Sequence, residues 1–166
     1  MKKALVLMAA LVATVSFGAT LELLVDGVAW DGKDVDIASE LKVICAAVGL
    51  NGGPTTTYAV NLSNATGASV VTSGDGFVNW LLPPAPAVSE TAPGVKVSAL
   101  NGSAFVQTGK LFEITFAAAQ EGVLDITQDG DISGGKGADI LGVNIVPEPM
   151  TMALLGIGGF FIRRRK

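Results

Sequence analysis

The chain has 166 residues, of which 49% are hydrophobic and 16% charged, and its formal net charge at pH 7 is −4. It contains no histidine and only one cysteine, Cys45, which excludes histidine-based zinc sites, Ser-His and Cys-His nucleophiles and an internal disulfide. Between residues 19 and 146, five lysines and no arginine face fourteen acidic residues. The resulting net charge of −9 disfavours binding to nucleic acid.

The N-terminal segment has the three parts of a secretory signal peptide. Two lysines precede an apolar stretch, and Ser16 and Gly18 are small residues separated by one position. This pattern predicts export and cleavage by signal peptidase between Gly18 and Ala19, so that residues 1–18 are removed. A buried first helix is the alternative, but the stretch shows no polar face.

The remaining body, residues 19–146, is long enough for one domain with a core. The run LELLVDGVAW places two apolar segments around Asp26-Gly27, a dipeptide that suits a tight type I′ hairpin turn. Cys45 lies in the next apolar run, LKVICAAV, which favours a small buried thiol over a reactive one.

Alternation of apolar and polar residues predicts the later strands. The residues expected to face inward are Tyr58, Val60 and Leu62, then Val95, Val97 and Ala99, then Phe112, Ile114 and Phe116, then Leu124 and Ile126, and finally Leu141, Val143 and Ile145. Glycine-containing turns recur at the spacing typical of a sandwich, and the proline-rich stretch 81–94 is predicted to cross between sheets or to cover an edge. The sequence therefore predicts an all-β, two-sheet sandwich of jelly-roll type.

Two segments carry a resemblance to a known fold. The stretches TLELLVDGVAWDGKDVDIASELKVICAAVG and VKVSALNGSAFVQTGKLFEITFAAAQEGVLDITQDGD resemble the opening and the later half of cohesin-like domains. The resemblance spans residues 20–145 and implies a cohesin or carbohydrate-binding-module type of sandwich. It does not imply dockerin binding, because no interface residues carry over.

The C-terminal segment, residues 147–166, combines a short motif, an apolar run and a basic cluster. Pro147, Glu148 and Pro149 precede thirteen uncharged residues, 150–162. As a helix this run would be about 20 Å long, short of the roughly 30 Å hydrocarbon core of a bilayer. It could still insert as a transmembrane helix if the bilayer thins, with the terminal cations on the cytoplasmic side. Those cations are Arg163, Arg164, Arg165 and Lys166.

This order of elements at a C terminus closely resembles the PEP-CTERM sorting signal of Gram-negative bacteria. The resemblance implies that the exported protein is held transiently at the inner membrane until an exosortase-type enzyme recognises Pro147, Glu148 and Pro149 and cleaves near them. The product would then reach the cell surface or the extracellular space. A Leu-Pro-x-Thr-Gly sortase motif is missing, and the basic end does not fit a GPI signal.

Three classes of function remain for the body. Export, acidic composition and the missing catalytic groups favour a structural or adhesive component of the extracellular matrix, without a cofactor and not an enzyme. A glycan- or protein-binding module is the alternative, in which Trp30, Trp80 or Tyr58 would stack on sugars of an extracellular polysaccharide, although core packing is favoured for each. An enzyme with paired carboxylates is the third class, but no motif for it is present.

Aspartates also cluster in two glycine-containing stretches, which raises the question of calcium. Neither stretch has the D-x-D-x-D-G register of a calcium loop, so solvated turn acids are favoured over a metal site. The aspartates are Asp125, Asp129, Asp131 and Asp139 in the first stretch and Asp31, Asp34 and Asp36 in the second.

Overall fold

A computed structural model describes residues 18–49, 53–54, 57–72, 75–76, 87–91, 94–101, 105–130, 132 and 135–148. The predicted signal peptide up to residue 17, Pro149, the apolar run 150–162 and the basic cluster 163–166 lie outside these residues. Across the described ranges, no helix has the length and apolar character needed to span a membrane.

The described residues form thirteen strands. They are β1 (Gly18–Val25), β2 (Val28–Ala29), β3 (Val35–Asp36), β4 (Leu41–Val48), β5 (Gly53–Pro54), β6 (Thr57–Leu62), β7 (Ala65–Thr72), β8 (Ala87–Thr91), β9 (Gly94–Asn101), β10 (Phe105–Val106), β11 (Gly109–Ala118), β12 (Gly122–Asp129) and β13 (Ile140–Val146). Sheet A has the order β2-β1-β4-β11-β7, sheet B has the order β3-β13-β12-β6-β9-β8, and β10 pairs with β5. All neighbours are antiparallel except β3 and β13, which are parallel.

The two sheets bury one shared core, which confirms the predicted all-β two-sheet sandwich. In β4 the residues alternate strictly between buried and half-buried, and in β11 the predicted Phe112, Ile114 and Phe116 are buried. Sheet B contributes Val60, Leu124 and other buried side chains to the same cluster. Burying each large apolar side chain contributes about 1.5–3 kcal/mol. This alternation therefore fixes which face of each sheet points inward.

The first hairpin forms where the Asp-Gly dipeptide predicts it. Asp26 and Gly27 have φ values of 50° and 79°, and Val25 pairs with Val28 across the turn. Positive φ at both central residues is the mark of a type I′ turn, whose twist matches that of the flanking strands. The Asp26 carboxylate also accepts a hydrogen bond from the Glu40 N–H at 2.8 Å and so holds the turn against the start of β4.

The prediction that Leu141 faces the core is wrong. Leu141 is 61% exposed, whereas Ile140 packs against the core in its place. The cause is a bulge: Leu124 pairs with Val143 but Ile126 pairs with Ile140, and Gly142 has a φ of 75°. An extra residue in one strand shifts its inside-outside alternation, so Leu141 turns outward.

The proline-rich stretch 81–94 was predicted to cross between sheets or to cover an edge, and the topology agrees, because the chain passes from β7 in sheet A to β8 in sheet B. The strand that part of this stretch forms was not predicted. Residues 87–91 form β8, which pairs with β9 at the edge of sheet B. The edge strand β7, which the alternation does not predict, lies at the edge of sheet A. Edge strands bury only part of one face, so their apolar pattern is weak.

Candidate functional site

The last strand of the body runs directly into the predicted sorting motif. β13 ends at Val146, whose carbonyl oxygen accepts a hydrogen bond from the Ile37 N–H at 2.9 Å. Pro147 follows at once and is half-buried, and Glu148 is exposed. The carboxylate of the motif is therefore presented to solvent two residues beyond the end of the folded sheet.

The predicted signal-peptidase site lies at the start of β1. Gly18 is buried with a φ of 134°, and a Cβ atom there would lie only 2.2 Å from the Gly135 carbonyl oxygen. Ala19 is fully buried, and its carbonyl oxygen accepts a hydrogen bond from the Gly137 N–H at 2.5 Å. Gly18 is also the first residue of β1 and pairs with Val48, so cleavage after it would remove the first position of this strand and leave Ala19 at the new N terminus. Cleavage between Gly18 and Ala19 stays a prediction.

The structure does not bring the calcium candidates of the first stretch together. Asp125 and Asp129 lie four residues apart on the outer face of β12, so about 13 Å separates them along the strand. The Asp125 carboxylate accepts a hydrogen bond from the Gly142 N–H at 2.8 Å, and Asp129 pairs with Lys96 at 2.9 Å. The hydrogen bond from Lys96 lowers the pKa of Asp129. Asp131 lies outside the described residues.

The other aspartates also have protein partners. Asp139 accepts from the Gln128 N–H at 2.8 Å, and Asp34 accepts from the Asn144 amide at 3.0 Å. Asp36 accepts from the Ala38 N–H at 2.9 Å, and Asp31 pairs with Lys33. Among the described residues, no three acidic or cysteine side chains are placed to hold a metal ion. These carboxylates instead hold turns, loops and strand ends.

Two of the three candidate aromatic residues for sugar stacking can be located. Tyr58 is completely buried and lies 6.2 Å from Phe112 between ring centroids. Trp30 packs partly against the core, and its indole N–H donates to the Lys33 carbonyl oxygen at 2.7 Å. Both therefore serve packing, the use that was favoured, and Trp80 lies outside the described residues.

A buried hydrogen-bond network joins the two sheets. The Tyr58 hydroxyl donates to the Gln128 side-chain oxygen at 2.7 Å and lies 3.4 Å from the Cys45 sulfur. The Gln128 amide nitrogen donates to the carbonyl oxygens of Gly137 and Ala138 at 3.1 and 3.2 Å. Gln128 thus connects the core to the loop that also contacts Ala19. The alternation of β12 places the Gln128 side chain on the inward face, but the sequence does not predict its hydrogen-bond partners.

The same burial makes Cys45 unreactive. Desolvation raises the pKa of its thiol to about 12, and burial also raises the pKa of the Tyr58 hydroxyl well above its ordinary value. A thiol must lose its proton to act as a nucleophile or a metal ligand. The predicted interpretation of Cys45 as a small buried residue is therefore confirmed.

The outer face of sheet B carries a row of polar side chains. Thr127, Asn61, Lys96 and Ser89 occupy paired positions on β12, β6, β9 and β8. Lys96 and Ser89 are exposed, and Thr127 and Asn61 are half-buried. The row spans three strand spacings, about 14 Å, and offers hydroxyl, amide and ammonium groups to a ligand lying across the strands.

Comparison with known proteins adds one structural similarity. The sequence matches no protein-family model and no curated protein. Among solved structures, the chain is similar to the cohesin module of a family 33 glycoside hydrolase from Clostridium perfringens. The identity is 19%, the TM-score is 0.39, and the match covers 80% of this chain and 99% of that module. The strand order and the shared core of the described residues by themselves define an all-β, two-sheet sandwich. No partner or activity of that cohesin is transferred to this chain.

Proposed function

We propose that this chain is an exported, non-catalytic module with a structural or adhesive role at the cell surface or in the extracellular matrix. Signal peptidase removes residues 1–18, and the C-terminal segment 147–166 holds the protein at the inner membrane. An exosortase-type enzyme then cleaves near Pro147-Glu148-Pro149 and releases the sandwich. The apolar run 150–162 and the cations Arg163 to Lys166 form the temporary anchor.

The exposure of Glu148 directly after the folded body is the observation that carries this proposal. A processing enzyme needs its recognition residues outside the folded sheet, and Glu148 meets that requirement. Proline fixes φ at about −65° and disfavours helix for the residue before it. The Pro-Glu-Pro sequence therefore favours a rigid, extended conformation that an enzyme could recognise. The order of motif, apolar run and basic end supports the sorting interpretation.

The engagement of the aspartates supports a role without catalysis. Asp125 holds the bulge in β13, and Asp139 holds the loop beside Gln128. Carboxylates used in this way stabilise the fold. The structural or adhesive role therefore fits the use that the fold makes of these acids.

The sorting proposal is tested by Glu148→Ala in the full-length protein in its native host, followed by cell fractionation and immunoblotting. We expect the variant to accumulate uncleaved in the membrane fraction, because it lacks the carboxylate that the enzyme is proposed to recognise. Glu121→Ala is the matched control, since Glu121 is another exposed carboxylate in the body, and it should be processed normally. Cleavage of Glu148→Ala at the wild-type bond and rate would overturn the proposal, because processing would then not depend on the motif.

Glycan binding is the second candidate, and the polar row on sheet B favours it. Polysaccharides present many hydroxyl groups, which side chains such as Asn61 and Lys96 can bind. The test is affinity electrophoresis of the purified protein in gels containing the host's extracellular polysaccharide. Retardation that is lost in Asn61→Ala but kept in Ser69→Ala, a change on sheet A, would support binding at the row. Equal migration with and without the polysaccharide would contradict it.

A further inference from the structure

The sorting motif has no spacer between it and the folded sheet. Ile145 is buried and pairs with Gly122 of β12 on one side and with Val35 of β3 on the other. Val146 pairs with Asp36, and its carbonyl oxygen is bonded by Ile37. The backbone that precedes Pro147 is therefore already engaged with neighbouring strands.

The short distance between the folded sheet and the apolar run also limits how an enzyme can approach the motif. Four residue steps separate Val146 from the start of the apolar run at Met150, which is at most about 14 Å of extended chain. A membrane-embedded enzyme that cleaves within this stretch must approach the rim of the sandwich closely. Enzymes that bind extended peptides pair with the backbone of the peptide, and this requires free N–H and C=O groups.

From this geometry we propose that processing is limited by the fold: the end of β13 must detach from β3 before the enzyme can bind the residues preceding Pro147. This proposal rests on the proposed function, because it presumes that the motif is cleaved. The covalent step is net hydrolysis of the same peptide bond: the hydroxyl of a water molecule is added to the upstream carbonyl carbon, and the proton leaves with the amino group of the downstream segment. Only access to the bond changes.

The rate of processing should depend on the fraction of molecules in which the end of β13 is detached from β3. When local opening and closing are fast relative to cleavage, the rate of proteolysis follows the population of the open form. Opening exposes Ile145 and Val35, both of which are buried in the closed form. Folded molecules should therefore be processed slowly, and molecules in which this end has not yet docked should be processed quickly.

The test inserts Gly-Ser-Gly-Ser between Val146 and Pro147 in the full-length protein and follows processing by pulse-chase labelling in the native host. The spacer provides free backbone upstream of the motif and leaves the sheet intact, so we expect conversion to be about tenfold faster or more. The control places the same four residues after Gly49, an exposed position just beyond β4 of sheet A and away from β3. This insertion should leave the rate unchanged.

A second variant tests detachment without lengthening the chain. Val35→Ala weakens the contact of β3 with β13 and should also speed processing, whereas Val28→Ala, at a residue that is 70% exposed, should not. Equal rates for wild type and spacer variant would overturn the proposed limit and leave the sorting function standing. Absence of cleavage in every form, including the spacer variant, would overturn the sorting function itself.

Discussion

At the scale of single residues, the core is organised around a few buried polar groups. Gln128 is only 5% exposed, yet its side chain and backbone bind Tyr58, the loop carbonyl oxygens of Gly137 and Ala138, and Asp139. A buried polar group without a partner is costly, and a satisfied one specifies a single arrangement. This glutamine therefore selects the position of the loop beside Ala19.

Replacing Tyr58 by Phe should lower the free energy of unfolding by about 1–3 kcal/mol. The ring and its contact with Phe112 remain, but the Gln128 side-chain oxygen loses its donor in a buried site. Urea denaturation of the purified protein measures the change. Thr127→Val removes a hydroxyl on the outer face of the adjacent position and should change the free energy by less than about 0.5 kcal/mol. Equal effects of the two substitutions would contradict the network.

The raised pKa of Cys45 predicts a loss of stability at alkaline pH. The folded thiol keeps its proton up to about pH 12, whereas the unfolded thiol loses it above its ordinary value of 9.0. Between these values the folded state binds more protons, so the free energy of unfolding should fall by about 1.4 kcal/mol per pH unit. Below pH 9 the thiol is protonated in both the folded and the unfolded state, so the free energy of unfolding does not fall because of this group.

Urea unfolding of wild type and Cys45→Ala from pH 8 to 11 measures this decline. In the variant, the decline in the free energy of unfolding that begins near pH 9 should be absent. The decline that begins above pH 10.0, the ordinary pKa of Tyr58, should remain, because burial raises the pKa of Tyr58 as well. Parallel curves for the two proteins would show that Cys45 does not contribute.

At the scale of elements, the inside-outside alternation of β11 makes a direct prediction. Phe112→Ala and Ile114→Ala should each lower the free energy of unfolding by about 2–5 kcal/mol, because each leaves a cavity in the core. Thr115→Ala, on the half-exposed outer face of the same strand, should change it by about 0.5 kcal/mol or less. Chemical denaturation of the three variants provides the comparison, and similar losses in all of them would show that the register is wrong.

The bulge in β13 distinguishes a structural from a metal-binding role for two acids of β12. Asp125→Ala should lower the free energy of unfolding by about 1.5–3 kcal/mol, because the Gly142 N–H loses a charged acceptor. Asp129→Ala breaks only an exposed ion pair with Lys96 and should change the free energy of unfolding much less than Asp125→Ala does. Thermal melts with calcium and with EDTA complete the test. Stabilisation by calcium that both substitutions abolish would contradict the structural role.

At the scale of the whole molecule, the described residues of the two sheets share one buried core. Residues 18–148 produced alone should therefore give a soluble, β-rich domain that unfolds cooperatively. Far-UV circular dichroism and a urea titration check this expectation, and a spectrum dominated by helix would contradict it. The acidic body, with its net charge of −9, should also fail to bind nucleic acid in a mobility-shift assay.

The sequence by itself determined the fold class, the inside-outside alternation of the main strands other than the start of β13, and the type of the first turn. These features depend on local periodicity and on residues such as Asp26 and Gly27, whose conformational preferences are local. The proposed sorting motif is equally local, since three residues beside an apolar run carry the proposal.

Only the tertiary structure decided the outward turn of Leu141, the edge strands β7 and β8, and the partners of Gln128. Each depends on residues distant in sequence: the bulge at Gly142 is held by Asp125, seventeen positions away, and Gln128 binds Tyr58, seventy positions away. Contacts of this kind arise when strands distant in sequence pair, and no local pattern encodes them. For the same reason, only the tertiary structure shows that Pro147, the first residue of the proposed sorting motif, directly follows a strand that is paired with β3.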